Sequence, residues 1–331
     1  MAFDGGGRSL VRRVIFVLVT LLLFGGGSEA ALRAAGLPKK DSTKEFTHAQ
    51  IYWVQPPNQH LEPLTHKETG GTFRVSTDAN GLRAPLHPQE KPAGTFRVMT
   101  LGCSTTFGWG VNDEESYPYQ LEQMLNADGH KVEVINGGQP GYSSFQGLWL
   151  WQKTLAAYKP DLILFGYIVQ DSRSVAYSDS SQAVLQANQD FLKENILYKL
   201  HLYVFMKNYI EAYQIQAKDT PGDGGVYRVS PQEYVDNIKA FKANADAVGA
   251  KMMLFGYPLE REGYTGSHRR ILHAAGEKLD LPVYDPQPEF EQYTAQETLY
   301  FPQDRGHANA AGNARIAQGV TQFLVGHKLV R

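Results

Sequence analysis

The chain has 331 residues, 42% hydrophobic and 20% charged, with a formal net charge of −2 and one cysteine. That length buries a sizeable core in one large or two modest domains, and the composition is that of a globular protein. The charge balance gives no basic surplus for a nucleic-acid partner, and a lone cysteine excludes an intrachain disulfide and a cysteine-rich zinc site.

At the N-terminus a basic flank, RSLVRR, precedes the uncharged apolar run VIFVLVTLLLFGGG from Val14 to Gly27. The run is short for a bilayer span, which takes roughly 20 apolar residues. It has no amphipathic period, so it reads as residues 1–31 forming a signal peptide or short signal anchor, with Ser28 and Ala30 offering a small-residue cleavage site. Arg8, Arg12 and Arg13 then stay on the cytoplasmic side and the rest of the chain is extracytoplasmic, periplasmic or secreted.

Residues 32–94 are polar and turn-rich. WVQPPNQHLEP, KETGG, DANGLRAP and HPQEKPAG interrupt short alternating pieces such as TFRVST. This predicts an extension of β-hairpins and loops lying on a main domain, with no chemistry evident in its composition. Its histidines, His48, His60, His66 and His87, have no metal-ligand spacing and read as surface residues.

From residue 95 the rhythm changes to strands alternating with helices. TFRVMTLG predicts a buried strand, EESYPYQLEQMLNA a helix with an acidic first turn, and KVEVING a second strand. SSFQGLWLWQKTLAAY predicts a helix opened by serine caps, and PDLILFGYIV a third strand, apolar throughout. Residues 172–230 form an insertion that mixes tyrosine-rich helical stretches, ENILYKLHLYVFMKNYIEAYQI, with the glycine-rich DTPGDGGV. After it come the helix SPQEYVDNIKAFKANADAVG, the strand AKMMLFGYP, the helix SHRRILHAAGEKL, the short strand PVYD and a last helix from about Ala310 to Leu324. The alternation implies crossover connections and a three-layer, doubly wound α/β domain over 95–331, its parallel sheet covered on both faces. In such sheets ligands bind at the carboxyl ends of strands, near a switch point. Three strand ends point at one place: LGCSTTFG, NGGQPGYSS and VQDS.

The first of these presents Cys103 and Ser104 side by side. Serine becomes a nucleophile when it has a base, a group orienting that base, and donors for a developing oxyanion; at a strand-to-helix junction it otherwise serves as a helix cap. In YFPQDRGHANAAGNARIA, Asp304 and His307 are three residues apart before the last helix. On a turn, that spacing lets a carboxylate hold one imidazole nitrogen while the other faces a nucleophile; alternatively they are a capping aspartate and a surface histidine. Trp109 follows the serine block, where an aromatic face would suit a sugar. NGGQPG lacks the helix-opening phosphate fingerprint, which argues against nucleotide binding.

LGCSTTFGWGV resembles the first block of the SGNH hydrolases, the GDSL esterase/lipase family, and is most similar to the exported bacterial branch reading G-D-S-x-T-F-G-x-G-V. VINGGQPGYSS resembles the second block, PDLILFGYIVQD the third, and DRGHANAAGNARIA the closing D-x-x-H-x-N-x-x-G block, together spanning roughly residues 95–325. The resemblance implies a flavodoxin-like fold, with Ser104 as nucleophile, His307 as general base and then acid, and Asp304 fixing the His307 tautomer. It also implies that the N–H groups of Ser104 and Gly141 hold the oxyanion, with no metal and no cofactor. Two positions depart from the pattern. Cys103 replaces the acidic residue before the serine, and Gln170 replaces the asparagine that donates to the oxyanion, carrying the amide one methylene further. Asp171 behind it reads as structural. Successive residues leaving a strand point opposite ways, so a Ser104 in the cleft puts Cys103 in the core.

The resulting expectation is an exported serine esterase or deacylase acting on ester-linked acyl groups, with envelope carbohydrate or glycolipid esters as a reasonable substrate class. The same residues would serve an O-acyltransferase that uses a sugar hydroxyl in place of water. A non-catalytic envelope binding module that kept the fold is the alternative from another class, with Gln170 as its main support.

Overall fold

Apolar residues at successive positions, rather than at every second one, mark the central strands, and the computed structural model shows why. It describes residues 6–37, 51–66, 69–175, 177–187, 197–206, 225–261 and 263–330. Two short strands, β1 (Glu62–Thr65) and β2 (Thr72–Val75), form an antiparallel hairpin. Next come β3 (Phe96–Leu101), β4 (Val132–Asn136) and β5 (Leu162–Phe165), then the two-residue β6 (Ser174–Val175) and β7 (Val226–Tyr227). The chain closes with β8 (Lys251–Phe255), β9 (Val283–Tyr284), β10 (Tyr300–Phe301) and β11 (Asp304–Ala308).

Five of these strands make one parallel sheet in the order β4-β3-β5-β8-β9. Counting sheet strands alone, that is the 2-1-3-4-5 order of a flavodoxin-like doubly wound fold. Neighbouring residues leave opposite faces. Val98, Leu162, Leu164 and Met253 pack against Leu121, Leu125, Ile316 and Val320. Met99, Leu101, Ile163 and Leu254 pack against Leu150, Ile238, Phe241 and Leu272. The first face is covered by helices Tyr117–Ala127 and Ala310–Gly326, the second by Ser144–Lys153, Pro231–Ala247 and Gly266–Leu279. With helices on both sides no strand position needs to be polar.

Helix ends follow local chemistry. Ser230 opens Pro231–Ala247, its Oγ accepting the Glu233 N–H at 3.3 Å while Glu233 Oε2 accepts the Ser230 N–H at 2.8 Å. The acidic residues expected in the first turn of the helix after β3 lie instead in a separate 3-10 turn, Asp113–Glu115. Pro118 near the start of the following helix sets this break, since proline suits a first turn.

The chain divides into two compact units, Met1–Glu45 with Val184–Asp223 and Phe46–Ala183 with Gly224–Arg331. The first holds a continuous helix, Gly6–Ala34, whose stretch Arg12–Ala34 is long and apolar enough to cross a membrane. It extends through Ser28 and Ala30, beyond the run that looked short in sequence, and Phe24 is 79% exposed. Near its end Glu29 accepts the His201 N–H at 2.9 Å and the Leu202 N–H at 2.7 Å, and Arg33 donates to Lys199 O at 2.7 Å. Most of the tyrosine-rich stretch and of DTPGDGGV lies outside the described residues.

In the second unit two buried arginines fasten the polar segment before residue 95. Arg97 Nε donates to Glu133 at 3.0 Å, and its Nη groups donate to Gln89 O at 2.9 Å, Pro88 O at 3.0 Å and Tyr158 O at 2.7 Å. Arg83, from the NGLR turn, is 1% exposed. Its Nε donates to Asp113 Oδ1 at 2.9 Å, and its Nη groups to Phe107 O at 2.8 Å, Gly108 O at 2.5 Å and Val111 O at 2.6 Å. The Phe107 ring lies 4.8 Å from the guanidinium carbon.

At the end of the third sheet strand, Asp171 Oδ1 accepts the N–H of Ser144 at 3.0 Å and also its hydroxyl. Asn237 donates to that hydroxyl at 2.8 Å. Asp171 is fully buried, and burial pushes its carboxyl up to about 6 against the Ser144 hydrogen bonds and the Arg228 charge.

Two outcomes follow. Arg83→Ala leaves Asp113 without its cation and removes a donor from each of three carbonyls, and should destabilise the fold by about 3–5 kcal/mol in urea unfolding. A loss under 1 kcal/mol would contradict the fastening role. For Asp171, both states are protonated below about pH 4; between about pH 4 and 6 the unfolded chain ionises while the folded one keeps its proton. Its contribution to stability therefore falls as pH rises across that window, by up to about 3 kcal/mol. Asp171→Asn lacks this loss, so the stability of wild type relative to the variant should fall from pH 4 to 6; parallel pH profiles would contradict the assignment.

Candidate active site

The turn that carries Ser104 begins where β3 ends. After Leu101 the chain makes an extended residue at Cys103 and then a single helical turn, Ser104–Phe107, closed by Gly108 in the left-handed region. Gly138, just beyond β4, lies so close to this turn that a Cβ there would meet Phe107 N at 2.4 Å. Cys103 is 1% exposed and belongs to the core, as strand alternation implies, and burial pushes its thiol up. Ser104 is 7% exposed.

Asp304 and His307 come from β11, which pairs antiparallel with β10 across a register shift. The sequence suggested a turn here; an irregular hairpin holds the pair instead. Asn309 and Asn313 lock that hairpin to the helix that follows. Asn309 Oδ1 accepts the Gly312 N–H at 3.0 Å, and Asn313 Nδ2 donates to Ala308 O at 2.8 Å. Asn313 Oδ1 also accepts the Tyr117 N–H at 3.0 Å.

The hairpin places His307 Nε2 2.7 Å from Ser104 Oγ. The other ring nitrogen, Nδ1, is hydrogen-bonded to Asp304 Oδ2, and Gly306 N–H reaches Asp304 Oδ1 at 3.2 Å. A carboxylate can only accept from Nδ1, so the Nδ1–H tautomer leaves the Nε2 lone pair facing the serine hydroxyl. Burial raises the Asp304 carboxyl, but the hydrogen bond and charge of His307, the Gly306 N–H and His66 outweigh it and hold it below its usual value. A hydroxyl, an imidazole and an ionised carboxylate in series can move a proton off the serine oxygen and return it to a leaving group.

The loop after β4 carries Gly141 at φ +81°, a conformation glycine adopts without strain. Among the described residues, the backbone N–H groups of Ser104 and Gly141 donate to no acceptor. Arg228 connects Gly141 to Gln170. Its Nη1 donates to Gly141 O at 2.5 Å and to Gln170 Oε1 at 3.0 Å. Its Nε donates to Asp179 at 2.8 Å and its Nη2 to Gln146 at 2.6 Å. Arginine has donors only, so Gln170 must turn its carbonyl to Arg228, which leaves the amide Nε2–H₂ as the outward end. Arg228, Gln170 and Trp53 line a cavity of about 290 Å³ with Gln146, Arg173 and Asp179.

Sequence reasoning missed two residues. Arg228 lies in the insertion, with partners scattered along the chain and no motif around it. His66, read as a surface residue, is 1% exposed, and its Nε2 lies 3.3 Å from Asp304 Oδ2. His87 is also partly buried, against Glu122 at 2.6 Å, whereas His60 is exposed and His48 lies outside the described residues. Trp109 packs edge-on to Phe73 at 5.2 Å, in a small cluster under the β1–β2 hairpin. His66, Asp304 and His307 present three donor atoms within 4.8 Å of one another. They suit a metal poorly: His66 Nδ1 already accepts the Thr69 N–H at 3.3 Å, which places the ring proton on the nitrogen that would ligate.

A model of the GDSL-like Lipase/Acylhydrolase family matches residues 100–315. No curated protein matches the chain. Solved structures similar in fold include TesA, 16% identical, at a TM-score of 0.47 over 69% of this chain and 97% of that one. A catalytic mutant of Axe2, an acetylxylan esterase from Geobacillus stearothermophilus, is 14% identical at a TM-score of 0.47, over 69% of this chain and 94% of that one. LAE5, an alpha/beta hydrolase enzyme from the metagenome of Lake Arreo, is 15% identical at 0.48, over 73% and 99%. The family match covers the Ser104 turn, the Gly141 loop, Gln170 and the Asp304–His307 hairpin, and the chain belongs to the GDSL-like lipase/acylhydrolase family.

Proposed function

We propose that the chain is a membrane-anchored, extracytoplasmic serine esterase that removes ester-linked acyl groups through Ser104. The observation that carries this reading is the hydrogen-bonded series Ser104–His307–Asp304 at the ends of the sheet strands. Ser104 Oγ attacks the acyl carbonyl while His307 Nε2 takes its proton, and Asp304 holds the imidazolium that forms. The tetrahedral oxyanion is received by the N–H groups of Ser104 and Gly141 and by the Gln170 amide. Collapse of the intermediate returns the proton to the leaving alcohol. Water, deprotonated by His307, then attacks the acyl-serine and releases the acid.

Gln170 raised the question of a weakened oxyanion site. Its hydrogen bond from Arg228 supports a working one, because the guanidinium fixes which end of the longer amide is free. The polar cavity beside Gln170, with Trp53 in its wall, suits a hydroxyl-rich alcohol better than a bulk lipid chain. This supports envelope carbohydrate or glycolipid esters as the substrate class. The apolar helix after a basic flank supports export. The Glu29 and Arg33 contacts with residues 199–202 support retention of that helix as an anchor rather than its removal.

With p-nitrophenyl acetate and full-length protein, Ser104→Ala should abolish turnover, and Gln170→Ala should lower kcat by about 10². Undiminished hydrolysis by Ser104→Ala would overturn the reading. In fractionated cells the chain should stay with membranes at full length and be open to protease from the outer side. A shortened, soluble chain would contradict the anchor.

A further inference from the structure

His66 lies far from the triad in sequence and belongs to a segment whose composition suggests no chemistry, yet it is packed into the triad's rear wall. The side chain is 2% exposed, sits 3.3 Å from Asp304 Oδ2 through Nε2, and stands edge-on to the His307 ring with centroids 6.2 Å apart. Phe301, on the strand paired with β11, packs against the same imidazole at 4.9 Å. Gly110 covers it closely: a Cβ there would meet His66 Cδ2 at 2.6 Å.

The proton on this ring is placed by its other nitrogen. Thr69 N–H donates to His66 Nδ1 at 3.3 Å, so Nδ1 must keep its lone pair and Nε2 carries the hydrogen. That nitrogen lies in electrostatic contact, not in line for a hydrogen bond, with the same carboxylate oxygen that holds His307, while Gly306 takes the other oxygen. Asp304 therefore meets two hydrogen-bond donors, from the hairpin backbone and from the proposed general base, and a third polar contact from a residue of the N-terminal extension.

We propose that His66 is a positioning residue: its Nε2–H, held against Asp304 Oδ2, fixes the carboxylate that orients His307. The inference rests on the esterase reading for its kinetic consequence, but the effect on the His307–Asp304 hydrogen bond is independent of turnover. The role needs a donor at the reach of Nε2, which glutamine supplies through its amide and phenylalanine does not.

The test compares wild type, His66→Phe and His66→Gln in the full-length chain in detergent, using p-nitrophenyl acetate. His66→Phe keeps an aromatic ring between Phe301 and Gly110 but removes the donor; kcat should fall about tenfold or more at unchanged KM. His66→Gln should recover most of that loss. In parallel, the low-field Nδ1–H proton of His307 should be sharp in wild type and His66→Gln, and shifted or broadened in His66→Phe. Equal kcat and an unmoved proton signal in His66→Phe would overturn the proposal. So would equal losses in both variants that merely track a lowered melting temperature. If wild type shows no Ser104-dependent turnover, the esterase reading fails while the proton signal still decides the role of His66.

Discussion

A buried guanidinium whose three nitrogens all donate to protein acceptors is the constraint on which the site's architecture rests. Arg83 cannot be left unpaired in the interior, and its partners are the carbonyls that a one-turn helix and its exit leave exposed: Phe107, Gly108 and Val111. Asp113 balances the charge and in turn accepts Ser76 N–H at 2.8 Å. The Ser104 turn is thus braced from behind by a segment outside the sheet, so that Ser104 does not depend on a four-residue helix for its position.

The same segment reaches the site twice more. Trp53 packs within 3.1 Å of where a Cβ on Gly141 would sit, and His66 stands behind Asp304. The part of the chain that looked like a polar wrapping therefore contacts the Ser104 turn, the Gly141 loop and the hairpin that carries Asp304 and His307. From the other side Arg228 ties Gly141 to Gln170. Such bracing suits chemistry that needs donors fixed before charge develops.

The strand-and-helix rhythm was legible because both faces of the sheet are covered, so β5 reads as an unbroken apolar run and β3 and β8 as mostly apolar ones. Ser104, Gly141, Asp304 and His307 were legible through short blocks in order along the chain. The hairpin that carries Asp304 and His307 was not, since β10 and β11 are short, irregular and rich in polar residues. His66 and Arg228 were hidden for a different reason. Each is a single polar residue whose partners are brought together only by tertiary packing, and burial of an arginine or histidine leaves no periodic trace in sequence. The apolar helix looked too short because its last turns, from Gly25 to Ala34, mix small residues with Glu29 and Arg33 and so end the uncharged run before the helix itself ends.

The central claim is that Ser104, and not the adjacent Cys103, forms the acyl-enzyme. The direct measurement is rapid acid quench of full-length protein mixed with p-nitrophenyl acetate, followed by fragmentation mass spectrometry of the peptide that contains both residues. The account predicts an acetyl group on the Ser104 oxygen that decays as the acid product appears. An acetyl group on Cys103, or turnover with no covalent adduct on this peptide, would contradict it.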